Sequence, residues 1–520
     1  MGKSVGYPIG EQDFKSLRNM ECVYVDKTSF IMKILQQRSK YLFLARPRRF
    51  GKSLFLSTLR YFFEGERKLF RGLDIDRYDW NWEKYPVLYL DLNTDRYSES
   101  KGLDEVLDNL FRKWEMTYDV KPTTDDLPQR FKSIISAAHE KTGKQVVILV
   151  DEYDKPLVGN LNEEQNFNYY RSKLASIYSN FKSSAEDIRL VFITGVSRFS
   201  KLSVFSDLNN LRDISFSDDF ADICGITKRE LLDNLSHGIH TLGSEYNISF
   251  EDACMRLKEN YDGYRFARKG SDIYNPWSLF NAMAEGRIGS YWSRTGMPTI
   301  IAESLKRINA DLEKILNTRC SFDTLSGLDL ASPNPVALLY QTGYLTIKNY
   351  DIRTDIVTLG IPNIEVKRGL LDILLPYYVK VRHSTPDTVI FDIIDSVRSG
   401  KPEEMIKYLD IFLAGIPYEM KMENENNLHN ALYILLTLIG IETHTEVLTS
   451  DGRIDMVITT PDYIYIIELK FKHDSSIAAH QIEEKGYDLP YAADRRKLFK
   501  IGVNFSADSR HLDKPVIKER

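Results

Sequence analysis

Apolar runs bounded by turn residues recur along the first half of the chain and predict buried β-strands. The predicted strands cover Tyr41–Ala45, Val87–Leu92, Val146–Asp151 and Leu190–Thr194. Each run is largely apolar and does not alternate with polar residues, which is typical of strands covered on both faces. Helical stretches separate the runs, so residues 1–235 are expected to form a parallel α/β sheet.

The hydrophobic period changes in the rest of the chain. From Lys228 to about Leu330 the pattern is mainly helical, and residues 331–380 predict a helix beside a two-stranded wing. The stretch Arg398–Pro402 has the composition of a linker, and the residues after it predict a second α/β unit. The predicted domains are residues 1–227, 228–330, 331–397 and 400–520.

Length and composition narrow the class of protein. The chain has 520 residues, which predicts about three or four domains. Its formal net charge of −5 excludes a globally basic, histone-like binder but allows a local basic site. No two of its four cysteines form a Cys-x-x-Cys pair, so neither a zinc knuckle nor a disulfide framework is expected. Without a secretory signal or a membrane-length apolar stretch, a cytoplasmic protein with no membrane partner is predicted.

A strand–loop–helix segment points to nucleotide binding. The strand Tyr41–Ala45 runs into RPRRFGKS at residues 46–53 and then into an apolar helix. In a P-loop, backbone N–H groups and the helix N-terminus hold phosphates, the lysine reaches the β/γ oxygens, and the serine binds Mg²⁺. The full pattern would have glycine where this chain has Arg46. The predicted nucleotide-binding residues of the loop are Arg49, Phe50, Gly51, Lys52 and Ser53.

Two carboxylates follow the predicted strand Val146–Asp151. Asp151 is predicted to hold the Mg²⁺ shell, and Glu152 to orient or deprotonate the attacking water. A third strand ends in GVSR at residues 195–198, where a polar residue could sense the γ-phosphate and Arg198 could face a phosphate. Solvated acids after a buried strand, a helix-capping serine and a surface arginine are the alternative interpretations.

A second candidate site lies near the C-terminus. Asp455 falls in the predicted strand Arg453–Thr459, and Glu468 and Lys470 fall in Tyr463–Lys472. Residues i and i+2 of a strand share a face, so Glu468 and Lys470 are expected to project together. A short hairpin would bring Asp455 beside them. Two carboxylates can hold a hard divalent cation, and a lysine can position the attacking water or stabilise developing charge.

The chain resembles bacterial AAA-ATPase-like proteins whose C-terminal domain is a PD-(D/E)XK nuclease-like module. The motifs that carry the resemblance are YVDK at 24–27, RPRRFGKS at 46–53, DEYD at 151–154, FSDLNNL at 205–211, YNP at 274–276, YWSRTG at 291–296 and LYQTG at 339–343. The resemblance implies that Arg46 is the family's usual residue. It also implies a fold: an N-terminal P-loop NTPase parallel sheet, a helical lid-like region and a winged-helix-like region in the middle, and a C-terminal restriction-endonuclease-like α/β domain.

The resemblance also assigns roles in the C-terminal domain. Asp455, Glu468 and Lys470 match the Asp…Glu-x-Lys core of PD-(D/E)XK nucleases. Glu425 occupies the place of the family's auxiliary acid, and Gln481 matches a residue that many such nucleases use at the phosphate. The predicted metal ligands are therefore Ser53 and Asp151 in the first site and Glu425, Asp455 and Glu468 in the second. The expected cofactors are ATP and Mg²⁺, with Mn²⁺ as an alternative at the nuclease-like site.

These features favour an ATP-binding and hydrolysing protein fused to a metal-dependent nuclease, in which the ATP state regulates cleavage of nucleic acid. DNA is the expected substrate ahead of RNA, and a homo-oligomer or a protein partner is left open. One alternative is a nucleotide-gated binding or signalling scaffold with a non-catalytic nuclease fold. Another is a nucleotide-dependent scaffold without turnover, which Arg46 and the lack of a convincing arginine finger suggest. Lone histidines such as His429 are interpreted as packing or surface residues, and Trp277 as a packing residue.

Overall fold

The computed structural model describes most of the chain as two compact units. The described residues are 6–20, 22–94, 97, 102–160, 163–198, 205, 208, 210–292, 305, 312–325, 327, 334–378, 387–414, 425–471, 474–506 and 511–520, with only the backbone described for 313, 375–378, 387, 388 and 425. The first unit comprises Met1–Gly296 with Arg319–Val366, and the second comprises Met297–Thr318 with Lys367–Arg520.

The α-helices of the described residues are numbered along the chain. They are α1 (Phe14–Asn19), α2 (Ser29–Leu35), α3 (Lys52–Phe63), α4 (Gly102–Tyr118), α5 (Leu127–Thr142), α6 (Lys155–Val158), α7 (Glu164–Ser183), α8 (Lys228–Tyr246), α9 (Phe250–Tyr261), α10 (Pro276–Glu285), α11 (Leu312–Leu316), α12 (Pro335–Thr342), α13 (Ile364–Tyr378), α14 (Asp387–Arg398), α15 (Pro402–Ala414), α16 (Glu425–Leu438) and α17 (Ser475–Glu484). None of them combines the length and the apolar character needed to cross a membrane.

A parallel five-stranded sheet forms the centre of the first unit. Its strands are β1 (Tyr41–Ala45), β2 (Val87–Asp91), β3 (Val146–Asp151), β4 (Ile188–Gly195) and β5 (Arg212–Asp213), in the order β2-β3-β4-β1-β5. Every residue of β1 and β3 is buried, as the unbroken apolar runs predicted. Helix α3 packs against β3 and β4, and α5 packs against β3. Since the strands are parallel, the loops after β1, β3 and β4 emerge at one edge of the sheet.

The middle of the chain adds a helical layer and a small sheet to the first unit. Helices α8, α9 and α10 share a core that includes Leu235, Leu257 and Leu279, beside the short pair β6 (Ile226–Thr227) and β7 (Ile273–Tyr274). The sequence predicts a two-stranded wing, which is wrong, because the structure has three strands there. Strand β8 (Arg319–Ser321) joins β9 (Thr346–Asp351) and β10 (Ile356–Gly360) in an antiparallel sheet ordered β8-β10-β9. With three residues and no apolar run, β8 has no strand signal in the sequence.

A mixed six-stranded sheet forms the second unit. Its strands are β11 (Glu442–Thr449), β12 (Gly452–Thr459), β13 (Tyr463–Phe471), β14 (Lys497–Ser506), β15 (His511–Leu512) and β16 (Val516–Glu519). The order is β11-β12-β13-β14-β15, with β16 also paired to β14, and only β13 and β14 run parallel among the described pairs. Helix α17 packs on β13 and β14. Gly502 allows this close packing, because a Cβ there would lie 2.3 Å from the Ala479 nitrogen.

The predicted linker Arg398–Pro402 lies inside the second unit. It is a tight turn between α14 and α15, which contact each other. The mixed α/β architecture, with a parallel N-terminal sheet and a second C-terminal sheet, is as the sequence predicted. The finer division into four domains stays a prediction.

Candidate functional site

The predicted P-loop connects the buried end of β1 to the first turn of α3. Ala45 pairs in register with Gly195 of β4, so the loop begins at the carboxyl edge of the sheet. Two loop residues have left-handed backbone conformations, Arg49 with φ 66° and Gly51 with φ 95°. Glycine adopts this region at little cost, whereas a non-glycine residue does so rarely. Gly51 is the N-cap of α3, so the helix starts directly after this bend, with its free N–H groups facing the loop.

Arg46, which stands where the full pattern has glycine, anchors the base of the loop. Its side chain is buried. The guanidinium donates hydrogen bonds to the carbonyl oxygens of Ala45 at 2.9 Å, Ser215 at 2.7 Å and Phe220 at 3.0 Å. It also lies 4.5 Å from the ring centre of Phe266. This arginine therefore holds the loop to the chain after β5, and its charge is directed at backbone carbonyls.

Lys52 lies inside the loop with its ammonium close to the acids that follow β3. It is buried, and its Nζ donates to the carbonyl oxygens of Arg46 and Pro47, both at 2.9 Å. Burial lowers the pKa of Lys52, while the carboxylates of Glu152 and Asp151 act in the opposite direction. The loop thus holds a cation between carbonyl oxygens and two acids, where a phosphate could enter.

The carboxylates after β3 occupy two different environments. Asp151 is buried, and its Oδ1 accepts hydrogen bonds from the Thr194 hydroxyl at 2.5 Å and from the Glu152 N–H at 3.1 Å. Glu152 has a left-handed backbone with φ 49°. Burial raises the pKa of the Glu152 carboxyl, and the nearby Lys52 opposes that shift. Thr194 of β4 supplies this contact, although the polar residue predicted to sense a phosphate lies in residues 195–198. Ser197, the serine of that segment, is buried, and its N–H donates to Asp154 at 2.6 Å.

A cavity of about 430 Å³ opens in front of the loop. Its volume falls within the range common for small-ligand sites. Part of its wall comes from residues 8–12 and part from Trp277 and Phe280 of α10. The predicted site residues that line it are Arg49, Gly51, Lys52, Ser53 and Glu152. Asp151 lies directly behind this wall, hydrogen-bonded to the backbone of Glu152.

Two predicted nucleotide-binding side chains are not brought to this cavity. Phe50 is buried in an aromatic cluster, with ring centres 4.7 Å from Tyr264 and 5.3 Å from Phe266. Arg198 forms an ion pair with Asp213, with Nε 2.9 Å from Oδ2. In this structure both side chains contact other protein groups, and their predicted roles in nucleotide binding stay predictions. The alternative interpretation of Arg198 as a surface residue also fails, because its side chain is 11% exposed.

The sequence predicts that Trp277 packs in the helical region, but the structure places it at the cavity wall. The Arg49 guanidinium lies 4.1 Å from its ring centre, and its Nε1 donates to the Tyr291 carbonyl at 3.3 Å. The local signal is the cap of α10, because Asn275 accepts from Ser278 N–H and Pro276 fills the first turn. This cap predicts where the helix begins, but it does not predict that the first turn of the helix reaches the P-loop.

The second candidate site lies on the hairpin of β12 and β13. Asp455 lies one residue beyond the paired Met456 and Ile467, so it faces Glu468 across the ladder. Asp455 accepts a hydrogen bond from the Leu469 N–H at 2.8 Å, and Lys470 Nζ donates to Glu468 Oε1 at 2.8 Å. Glu468 is fully buried and Asp455 is 7% exposed. The predicted pairing of two acids and a lysine is present in the fold.

Four of the predicted residues line one cavity of about 630 Å³ in this unit. They are Asp455, Glu468, Lys470 and Gln481. Gln481 reaches it from α17, and its Nε2 donates to the Tyr487 hydroxyl at 3.3 Å. Arg453 and Leu448 of β11 complete part of the rim. Glu425 is the first residue of α16, and its side chain lies outside the described residues, so its predicted role stays a prediction.

Comparison with known proteins agrees with this division. Residues 8–205 match the family described as "Predicted AAA-ATPase", and residues 423–514 match the PD-(D/E)XK nuclease superfamily. The chain is also 32% identical over 519 residues to a protein of Azotobacter chroococcum mcd 1 named "Uncharacterized protein in vnfD 5'region", with 97% of each chain covered. The chain belongs to the AAA-ATPase-like family. The resemblance drawn from its motifs is thus confirmed, and the two matched domains make this AAA-ATPase-like protein an ATPase–nuclease fusion by domain content.

Sequence reasoning missed a charged cluster beside the nuclease-like cavity of the AAA-ATPase-like protein. Glu446, with a left-handed φ of 57°, forms ion pairs with Arg453 and with Lys314, the latter at 3.2 Å. His429 of α16 is buried, with Nδ1 3.7 Å from Glu446 Oε1. Burial, together with Lys470 and Arg453, lowers the pKa of His429 to about 4, so the ring is neutral at neutral pH. Only the register of β11 against β12 brings Glu446 close to this site.

The donor set of the AAA-ATPase-like protein's nuclease-like cavity fits a hard divalent cation. Asp455 and Glu468 supply carboxylate oxygens, the ligands that Mg²⁺ and Mn²⁺ prefer, and Mg²⁺ keeps several waters when two carboxylates bind it. Within the described part of the chain, no group of three or more His, Cys, Asp and Glu side chains gathers as a metal cluster. A two-carboxylate site with water ligands is therefore the arrangement that these residues support.

Proposed function

We propose that this protein binds and hydrolyses ATP at its P-loop and that the nucleotide state regulates metal-dependent cleavage of nucleic acid by its second unit. DNA is the proposed substrate ahead of RNA. The observation that carries the proposal is the convergence of Asp455, Glu468, Lys470 and Gln481 on one cavity. Asp455 and Glu468 are two buried acids beside one lysine, and the remaining buried negative charge would be costly without a cation.

At the first site, the proposed roles follow the distribution of charge. Lys52 binds the β/γ oxygens after releasing its two carbonyl partners, and the N–H groups from Arg49 to Ser53 hold the phosphates. Ser53 and Asp151 hold Mg²⁺, which neutralises phosphate charge. Glu152, with its raised pKa, accepts the proton of the attacking water. Trp277 offers an aromatic face for the base.

At the second site, Asp455 and Glu468 are proposed to hold Mg²⁺ or Mn²⁺, with Glu425 as the auxiliary acid. The bound metal would polarise the scissile phosphate and lower the pKa of its water. Lys470 orients that water, because its ammonium is already fixed by Glu468 at 2.8 Å. Gln481 donates hydrogen bonds to a non-bridging phosphate oxygen.

A hydrogen-bonded path inside the first unit supports nucleotide regulation. Asp151 contacts Thr194 of β4, and two residues beyond the end of this strand the Ser197 N–H donates to Asp154 at 2.6 Å. The next residue, Arg198, donates its N–H to Gln341 Oε1 at 2.7 Å. If Asp151 holds the metal of a bound nucleotide, its hydrogen bond from Thr194 would change, and the Arg198 N–H would pass that change to Gln341 of α12.

The decisive experiment incubates the full chain with Mg²⁺ or Mn²⁺, with and without ATP, against single-stranded and duplex DNA and RNA. Lys52→Ala should remove the effect of ATP, and Asp455→Asn should remove cleavage. Asp451→Asn is a matched control, since Asp451 is an exposed acid in the turn between β11 and β12. Cleavage that survives Asp455→Asn would overturn the site assignment, and cleavage indifferent to ATP would overturn the regulation.

The alternative is a nucleotide-gated scaffold whose nuclease fold binds without cutting. Mn²⁺ titrated into the Lys52→Ala variant of the full chain separates the two proposals. This variant should lose the metal that binds with nucleotide at the P-loop and keep any metal bound at the second site. A scaffold should show no metal bound that Asp455→Asn removes. Sedimentation with and without ATP would show whether a homo-oligomer forms.

A further inference from the structure

A second large cavity lies at the opposite edge of the parallel sheet in the first unit. It has a volume of about 650 Å³. Its lining comes from the chain before and at the start of β1 and β4, together with Gln145 before β3 and Asn210 before β5. These are the amino ends of parallel strands, whereas the P-loop follows the carboxyl end of β1. The cavity, which we call the amino-edge groove, is therefore separate from the nucleotide cavity.

Among the described residues, the charged side chains that line the amino-edge groove are all positive. They are Arg38, Lys40 and Arg189, and none of the described lining residues is Asp or Glu. Arg38 is exposed, and the other two are half-buried. Lys40 is held in place because its Nζ donates to the carbonyl oxygens of Ala185 and of Ile188, the latter at 3.0 Å. Burial and the neighbouring Arg189 both lower the pKa of Lys40, so these cations are close enough to repel.

The nearest acid in sequence is already engaged elsewhere. Asp187 bonds His139 Nδ1 at 2.7 Å and accepts from the Ser136 hydroxyl at 3.1 Å. Like charges held together cost free energy, which an anionic ligand would recover. Gln37, Gln145 and Asn210 add polar groups to the same wall. The groove therefore favours a ligand with several spaced negative charges.

The polar character of the groove favours nucleic acid over an acidic protein. Protein interfaces centre on exposed aromatic or aliphatic side chains. None of the large exposed apolar side chains among the described residues lines the groove. Phosphodiester backbones, in contrast, are held by Arg and Lys with polar side chains and without sequence reading.

We infer that the amino-edge groove binds the phosphodiester backbone of nucleic acid. The inference rests on the proposed function only in taking nucleic acid as the ligand class. The groove needs no metal and no nucleotide, because its own side chains supply the charge. It would hold the substrate by a surface distinct from the cavity that cuts it.

The test measures the fluorescence anisotropy of labelled single-stranded and duplex DNA on the full chain. All proteins carry Asp455→Asn to prevent cleavage, and EDTA without ATP removes metal and nucleotide contributions. The triple variant Arg38→Gln/Lys40→Gln/Arg189→Gln is compared with Lys68→Gln/Lys113→Gln/Lys132→Gln, which neutralises three exposed lysines of the same unit. Retained ATP binding shows that the groove variant is folded. Arg38→Lys/Arg189→Lys keeps the charge and should keep most of the affinity.

The groove variant should bind DNA at least about tenfold more weakly. The slope of log affinity against log salt concentration, measured between about 50 and 200 mM salt, should fall in magnitude by about two to three. The lysine control should change neither quantity comparably. Equal affinity and slope for the groove variant and the parent would overturn the inference and leave the proposed cleavage standing. Absence of DNA binding by the parent would also overturn it, while cleavage by the wild-type chain with metal separately decides the proposed function.

Discussion

Replacing Arg46 with glycine would restore the full P-loop pattern, and we predict that it weakens the protein. The guanidinium makes three hydrogen bonds of 2.7–3.0 Å to buried carbonyls and a cation–π contact at 4.5 Å. Hydrogen bonds to a charged group contribute about 1.5–3 kcal/mol each. Desolvation of the buried cation offsets part of that sum. A net loss of about 3–5 kcal/mol is therefore expected for Arg46→Gly and for Arg46→Ala.

Thermal unfolding of the full chain measures this loss, at the unfolding transition that ATP shifts to higher temperature. A fall of more than about 5 °C in the midpoint is expected, with weaker ATP binding. Arg46→Lys should be intermediate, because one ammonium cannot reach three carbonyls with the planar geometry of arginine. Arg71→Ala, at an exposed arginine of the same unit, is the control. Unchanged stability together with tighter ATP binding in Arg46→Gly would refute the anchoring role.

Three further predictions concern other positions. Trp277→Ala should weaken nucleotide binding about tenfold in calorimetry, since base stacking contributes about 1–3 kcal/mol; unchanged affinity would exclude it as the base platform. His429 has a folded pKa of about 4, so the unfolded state takes up its proton first as pH falls. The free energy of unfolding should be full above about pH 6.5 and decline by about 3 kcal/mol towards pH 4. In denaturant unfolding, His429→Gln should flatten this dependence of stability on pH, and an unaltered pH dependence would contradict the prediction. Gly502→Ala should destabilise the second unit by about 1–3 kcal/mol, because its Cβ would lie 2.3 Å from the Ala479 nitrogen; a wild-type unfolding midpoint would show that α17 can move away.

Much of the fold could be predicted because burial leaves a local signature. Strands such as β1 and β3 are apolar throughout, and their predicted bounds match the structure. Strands β5 and β8 could not be predicted, since two or three polar residues carry no period and pair only because a neighbouring strand offers its edge. The same limit applies to Arg398–Pro402, whose composition suits a linker and a tight turn equally.

The residues of the candidate sites could likewise be predicted only where local sequence sets their geometry. Gly51, Lys52, Asp455, Glu468 and Lys470 could be predicted because the spacing of each motif sets its geometry within one or two elements. Other positions depended on contacts distant in sequence. Arg198 is drawn to Asp213 and away from the cavity, Trp277 reaches the loop from α10, and Glu446 meets Arg453 only through the hairpin register. The anchoring role of Arg46 likewise depends on the distant carbonyl oxygens of Ser215 and Phe220.

The balance of charge around the nuclease-like cavity has a consequence for the order of binding. Among the described residues that line it, two carboxylates, Asp455 and Glu468, balance two cations, Lys470 and Arg453. Both cations are also ion-paired, to Glu468 and to Glu446. A bare cavity of this kind offers a phosphate no net attraction. A divalent ion would add two positive charges, so metal should enter first, and affinity for a phosphodiester at this cavity should depend on metal concentration.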